Sequence, residues 1–369
     1  MNSYIKGFDE CYLINILDKI LKRYKFEIFF LRAYRRRVQM SKKRKLPNIL
    51  CADRFYMVDE AMRNLEGVGN VIWVDCKDED GLVETARKTN PEVIISEYAK
   101  ITFRVMNASS ALKGIVVWGV GYDHIDVEDA SKKGIYVANT RGSNAESVAE
   151  HVFAFILGLS RKLPQADFFV KKGGWTSREE AGLPHELIAH DLYEKTLGIV
   201  GLGAIGSRVA RIAHGFNMHV LAYDPYVSIE AAMEKGVELV ELEKLLKESD
   251  FVTLHVVLTE GTRGMISTKE FNLMKPTAYI INASRGPVID KDALIRALKE
   301  KKIAGAGLDV FTKEPIDLEN PLLKFDNVIV TPHCAGNSAE ALKATSLMVS
   351  EEVVRILRGQ IPKNLVNKP

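Results

Sequence analysis

The run Leu197-Gly198-Ile199-Val200-Gly201-Leu202-Gly203-Ala204-Ile205-Gly206 joins an apolar strand to the spacing GxGxxG, and Ser207-Arg208-Val209-Ala210-Arg211-Ile212-Ala213 continues it with helical periodicity. In such a strand-turn-helix unit Gly201 allows the tight turn, Gly203 lets a pyrophosphate approach the backbone, and Gly206 lets the helix pack on the strand. The helix N-terminus offers unpaired N–H groups to the phosphates. The next strand-like run, 218–223, ends in Asp224, 18 residues beyond Gly206. A carboxylate there can accept both ribose hydroxyls and repels a 2′-phosphate, so the pattern points to NAD rather than NADP.

Alternation of short apolar runs with helix-length amphipathic segments extends on both sides of this unit. Upstream, a first run begins at Pro47-Asn48-Ile49-Leu50, and 71–74, 93–96, 114–118 and 135–138 read as further strands, with helical segments such as 126–133 between them. Downstream, strands are expected at 251–255, 279–282, 306–310 and 328–331. Both series imply parallel sheets of an α/β protein. Residues 143–163 read as a long apolar helix whose start, Ser143-Asn144-Ala145-Glu146, has the form of a capping box. Residues 338–358 form a last helical pattern with no strand series of its own, which is expected to return to the first domain.

A chain of 369 residues with 47% hydrophobic and 27% charged residues suits two globular domains. The net charge of +3 is uneven: residues 1–46 carry 13 Lys or Arg against 4 Asp or Glu, and the remainder 38 against 44. That basic segment reads as a poorly ordered extension, or as upstream sequence if Met40 is the true start, ahead of a nucleic-acid or membrane-surface arm. The acidic body argues against nucleic-acid binding. Four separated cysteines, Cys11, Cys51, Cys76 and Cys334, form no CxxC pair and no metal-like cluster, so free thiols in a reducing, cytoplasmic compartment are expected. Cations flank the apolar stretches near the start too closely for a signal peptide or membrane span.

Three reactive residue types follow predicted strands: Arg285 in Asn282-Ala283-Ser284-Arg285-Gly286, Glu314 soon after Gly307-Leu308-Asp309-Val310, and His333 in Val330-Thr331-Pro332-His333-Cys334-Ala335-Gly336. Strand ends of an open parallel sheet face one ligand crevice, so the three can converge. Arginine holds a carboxylate bidentately and keeps its charge. Histidine exchanges a proton near neutrality. A hydrogen-bonded glutamate stabilises the imidazolium. Together they suit the reduction of a 2-keto acid, or its reverse.

These residues resemble the D-isomer-specific 2-hydroxyacid dehydrogenases, a family that includes phosphoglycerate dehydrogenases, glyoxylate and hydroxypyruvate reductases and C-terminal-binding corepressors. The resemblance runs from about Asn48 to Val366. It also rests on Gly119-Val120-Gly121-Tyr122-Asp123-His124-Ile125-Asp126 and on Gly142-Ser143-Asn144 leading to Ser147-Val148-Ala149-Glu150-His151. It implies two Rossmann-like parallel-sheet domains: a flavodoxin-like substrate domain, 47–142 plus 337–369, and an NAD-binding Rossmann domain, 143–336, inserted in it. By the same resemblance Arg285 binds the substrate carboxylate, His333 is the acid/base and Glu314 its partner. Gly201, Gly203, Ala204, Ile205, Gly206 and Asp224 hold pyrophosphate and ribose. Val256, Ala283, Ser284 and Asp309 line the nicotinamide side, with Gly336 and Val120 nearby, and Ser96, Val120 and Gly121 join Arg285 and His333 around the substrate. A homodimer through the cofactor domain is implied as well.

Departures from the family pattern narrow the substrate. Val257 and Arg141 stand where proline is usual. Val117 and the Ile95-Ser96 pair occupy places where phosphoglycerate dehydrogenases carry arginines for the phosphate, and an unpaired buried phosphate costs several kcal/mol. A non-phosphorylated acid such as glyoxylate or hydroxypyruvate is therefore expected, with D-3-phosphoglycerate the alternative, and no further regulatory domain is expected after Pro369. A corepressor-like NAD sensor is the reading from another class, and the absence of arginine at Val117 counts against it. Trp118 is expected as an apolar wall or plain core, and Cys334 as a packed, inert thiol.

Overall fold

The computed structural model describes residues 46–74, 78–175 and 184–369. Cys11, Cys76 and the basic segment up to Lys45 lie outside the described residues. Pro47–Pro369 clusters as a unit of its own and carries both sheets.

The first sheet is built from β1 (Asn48–Cys51), β2 (Asn70–Trp73), β3 (Val93–Ser96), β4 (Gly114–Val117) and β5 (Tyr136–Ala138), in the order β2-β1-β3-β4-β5. The second holds β6 (Thr196–Val200), β7 (His219–Tyr223), β8 (Glu238–Leu239), β9 (Phe251–Leu254), β10 (Tyr279–Asn282), β11 (Gly305–Leu308) and β12 (Val328–Val330), ordered β12-β11-β10-β9-β6-β7-β8. Every strand pair is parallel. These are the flavodoxin-like order and the doubly wound dinucleotide-binding order with a further strand at one edge. Helices cover both faces, which is why β3, β4, β9, β10 and β11 are buried throughout and read as continuous apolar runs. The strand that sequence reading passed over, β8, has two residues and no periodicity to detect.

The apolar helix spans Ala145–Ser160 and ends where Lys162 adopts a left-handed φ of 52°, after which a second helix, Leu163–Lys171, begins. The expected single helix over 143–163 is thus shorter, and its capping box is not formed. Asn144 is the N-cap and makes no side-chain capping bond. Ser143 Oγ pairs instead with Thr345 Oγ1 at 2.8 Å, and the Glu146 carboxylate pairs with Arg208 at 3.1 Å and with Arg211. Both groups are engaged by long-range partners instead of the cap. Val152, Phe155, Ile156 and Leu159 of this helix pack with Leu197 and Ile199 of β6 and with Val209, Ala210 and Ala213 of the helix Ala204–Gly215.

The last helix, Ala339–Leu357, lies against the first sheet. Val349, Val353 and Ile356 join Ile49, Cys51, Val116 and Trp118 in one buried cluster. Its Glu352, 1% exposed, accepts hydrogen bonds from the backbone N–H groups of Lys363 and Asn364, so the buried charge is satisfied and the chain end is turned back. Asn367 then bonds the N–H of Val137 at 2.8 Å beside β5.

Candidate active site

Loops leaving the C-terminal ends of the strands in both sheets, with the start of the last helix, line one cleft of about 290 Å³. Of the residues expected in a site, Val120, Gly121, Ile205, Val256, Ala283, Ser284, Arg285, Asp309, His333 and Gly336 line it. Gly201 and Gly203 lie in the turn beyond β6, Ala204 and Gly206 in the first turn of the helix that follows, and Asp224 just past β7, rather than in the cleft wall, and Glu314 stands behind His333. Ser96, by contrast, is fully buried, and its hydroxyl donates to Ala99 O at 2.8 Å. The structure thus takes Ser96 out of the lining and puts its neighbours Glu97 and Tyr98 there.

The glycine turn has the shape a dinucleotide needs. Gly201 sits at φ 97°, and a Cβ on Gly206 would fall 2.1 Å from Gly201 O, so side chains are excluded by conformation at one position and by contact at the other. A Cβ on Gly203 would meet nothing within 4 Å, which leaves open space above the turn. The helix that follows has no side-chain cap, so its first amides are free to meet phosphate oxygens. Asp224 is fixed beside the turn by accepting from Leu202 N and Tyr226 N, both at 2.9 Å. A carboxylate so anchored keeps lone pairs for ribose hydroxyls. These residues fit NAD.

Arg285 is positioned from three sides. Its Nε donates to Asp123 Oδ1 at 2.9 Å, one of its terminal nitrogens donates to Ser284 O at 2.9 Å, and the other lies over Gly121, where a Cβ would overlap it. A side chain at 121 would displace the guanidinium from this position. Buried Asn282 fixes the supporting loop, accepting from the N–H and hydroxyl of Ser284 and donating to Arg285 O at 3.0 Å. Burial pushes the pKa of the Asp123 carboxyl up, but the charge and hydrogen bond of Arg285 outweigh this and hold it below its ordinary value.

His333 takes a left-handed φ of 52°. Its N–H donates to Asp309 O at 2.8 Å, and the Asp309 carboxylate, 1% exposed, accepts from the N–H groups of Cys334 and Ala335, both at 2.9 Å. Asp309 therefore clamps the turn that aims the imidazole. Nδ1 of His333 meets Glu314 Oε2 at 2.7 Å, and Glu314 Oε1 accepts from Phe311 N at 2.8 Å. Burial pushes the Glu314 carboxyl upward, yet its bonds from His333 and Phe311 prevail and keep it below the usual range. With Nδ1 engaged, Nε2 is the nitrogen left to exchange a proton.

Several contributors escaped sequence reading. Asn139 and Thr140 hold the Gly119-Val120 turn by bonds to Val120 O and Gly119 O at 2.8 and 2.9 Å. Glu97 lines the cleft, and burial followed by the charge of Asp53 pushes its carboxyl up to about 7, against the opposing pull of His333 and Tyr98. The Tyr98 ring meets the His333 ring edge-on at 6.0 Å. An acid directly after a predicted strand was the available signal. His255 also lines the cleft, but burial drives it down to about 3, so it stays neutral and does not compete as proton donor. Burial and the charge of Asp309 raise the Cys334 thiol, the direction of an unreactive group.

Residues 153–335 match the family model of the D-isomer specific 2-hydroxyacid dehydrogenase, NAD binding domain. Over 268 residues the chain is 47% identical to a glyoxylate reductase of Korarchaeum cryptofilum, covering 73% of this chain and 80% of that protein. The chain belongs to the D-isomer specific 2-hydroxyacid dehydrogenase family. It is also 42% identical over 312 residues to a D-3-phosphoglycerate dehydrogenase of Methanocaldococcus jannaschii, covering 84% of this chain but 58% of that one. Among solved structures it resembles the D-lactate dehydrogenase from Aquifex aeolicus complexed with NAD and lactic acid, with a TM-score of 0.75, 34% identity, and coverage of 87% and 99% of the two chains. This 2-hydroxyacid dehydrogenase is thus an NAD-dependent oxidoreductase acting on CH–OH groups. Among the described residues no helix is long and apolar enough to cross a membrane.

Proposed function

We propose that this dehydrogenase interconverts a small, non-phosphorylated 2-keto acid of the glyoxylate or hydroxypyruvate kind and its D-2-hydroxy acid. The observation that carries this reading is the charge inventory of the cleft: among the described lining residues Arg285 is the one permanent cation. One cation matches one carboxylate. The guanidinium, steadied by Asp123, holds the substrate carboxylate through the terminal nitrogen that lies over Gly121. The keto oxygen then lies toward His333, whose Nε2 delivers a proton as that oxygen gains charge, while Glu314 holds Nδ1 and stabilises the imidazolium beforehand. The Gly201–Gly206 segment and Asp224 would hold NADH, which would supply the hydride.

In this scheme Ala204 and Ile205 meet the pyrophosphate, and Val256, Ala283, Ser284, Asp309, Gly336 and Val120 surround the nicotinamide side. Residues 47–142 with 337–369 serve the substrate and 143–336 the cofactor. The helix Leu163–Lys171 has no buried residue, and Leu163, Phe168 and Val170 are exposed together with Trp175, Ile188 and Tyr193. A second copy of the chain is the occupant we assign to these exposed apolar residues, giving a homodimer that light scattering would register as twice the chain mass. Cys51 and Cys334 are free thiols, which supports a reducing, cytoplasmic setting.

The phosphoglycerate reading is favoured by the Methanocaldococcus relative and opposed by the absence of a second cation among the described lining residues. Oxidation of NADH with glyoxylate, hydroxypyruvate and 3-phosphohydroxypyruvate tests the choice. Turnover on the first two, lost in Arg285→Ala and His333→Ala, is expected; a faster rate on the phosphorylated acid would reverse the assignment.

A further inference from the structure

The loop after β3 brings an acid, rather than a cation, to the substrate side of the cleft. The backbone N–H groups of Glu97, Tyr98 and Ala99 converge on the Asp53 carboxylate at 2.7, 3.2 and 3.0 Å, and Ser96 Oγ joins them at 3.2 Å. Successive N–H groups turned to one point make an anion cradle. Here the cradle is filled by the chain's own carboxylate, from the loop that leaves β1. A phosphate or second carboxylate on a substrate finds those donors already taken.

Glu97 itself lines the cleft, beside Tyr98 and within the electrostatic reach of His333. The groups that act on its carboxyl are Asp53, His333 and Tyr98, with no lysine or arginine among them. Arg285, the permanent cation of the described lining, is committed to Asp123 and, in the reading above, to the substrate carboxylate. Trp118, 6% exposed and stacked on Phe55 at 4.5 Å, forms an apolar wall of the same cleft. A substrate tail lodged between Trp118 and Glu97 meets an acid and, among the described lining residues, no lysine or arginine beyond Arg285.

We propose that Glu97, backed by Asp53, sets specificity at the far end of the substrate. The cleft takes a 2-keto or 2-hydroxy acid whose tail donates a hydrogen bond, from a hydroxyl or an amine, to the Glu97 carboxyl, and it rejects an anionic tail. This rests on the assignment of Arg285 as carboxylate clamp and His333 as proton donor.

Steady-state kcat/KM with NADH for hydroxypyruvate, pyruvate and 3-phosphohydroxypyruvate, in the parent, Glu97→Ala and Glu97→Lys, tests it. Hydroxypyruvate and pyruvate differ by the tail hydroxyl alone. Each preference is a ratio within one protein preparation, so partial loss of folded enzyme cancels. Glu97→Ala should lower the hydroxypyruvate-to-pyruvate ratio about tenfold, mainly through KM, and Glu97→Lys should raise the phosphorylated-to-unphosphorylated ratio by at least about tenfold. A merely structural role would depress all three rates together. If both ratios stay within about twofold of the parent while the variants still reduce glyoxylate, the role of Glu97 is overturned and the assigned reaction stands. If the parent prefers the phosphorylated acid, or reduces none of these acids, the assigned reaction falls and the Glu97 proposal falls with it.

Discussion

At the scale of single residues, the proposed acid/base role divides one task between His333 and Glu314. The 2.7 Å contact fixes which imidazole nitrogen is free, and the Phe311 N–H holds the carboxylate ionised in a half-buried place. Glu314→Gln keeps the shape and removes the charge. It should lower kcat for keto-acid reduction about 100-fold while NADH affinity, followed by fluorescence quenching, stays near that of the parent; a parallel loss of affinity would place Glu314 in cofactor binding instead. Asp224 acts at the other end of the site. With its carboxylate removed in Asp224→Ala, NADH affinity should fall about tenfold or more and the preference over NADPH should shrink, since the group that repels a 2′-phosphate is gone. Titration of both dinucleotides measures this, and an unchanged NADH-to-NADPH ratio would refute the selectivity role.

Elements impose their own constraint on the same site. The strand β6 and the helix Ala204–Gly215 approach so closely that the Gly206 Cα faces Gly201 O, leaving no room for a methyl group. Gly206→Ala must displace the turn or the helix, at a cost of about 1–3 kcal/mol. Because that displacement also moves the amides that meet phosphate, NADH affinity and urea midpoint should decline together; loss of one without the other would mean that packing and phosphate binding are separable. The bonds of Glu146 to Arg208 and Arg211 also join two helices, but these groups are exposed and Glu146→Ala should change stability by less than about 1 kcal/mol.

For the whole molecule, the cleft is also a place where folding energy is spent on function. The fold keeps the Glu97 proton to about pH 7, whereas an unfolded chain releases it near the ordinary 4.5. Between those values the folded state holds the extra proton, so the contribution of Glu97 to stability is present at low pH and is lost as pH rises. Glu97→Gln removes this titration. Its melting temperature should exceed the parent's by ~1–2 °C at pH 8 and by less at pH 5. Equal offsets at the two pH values in scanning calorimetry would show that Glu97 titrates normally.

Much of this was legible in the chain because the signals are local. The strand-turn-glycine spacing at 197–206, the acid at 224 and the alternation of runs report on neighbours a few residues apart, and they specified two parallel-sheet α/β halves, a dinucleotide turn and its preference for NAD. The roles proposed for Arg285, Glu314 and His333 were suggested by residue type after a strand end. Other features depend on loops that meet only when the sheets are assembled. Arg285 finds Asp123 across 162 residues, and Ser143 finds Thr345 across 202, which is why the expected capping box dissolved. The Asp53 cradle joins β1 to the loop after β3, buries Ser96 and turns Glu97 into the cleft; no spacing rule links positions 43 to 46 residues apart. Sequence alone thus determined the fold and the cofactor and nominated the reacting groups, because short-range periodicity and side-chain chemistry encode them. Tertiary structure decided which charges face the substrate, because a carboxylate's effect depends on what surrounds it in space.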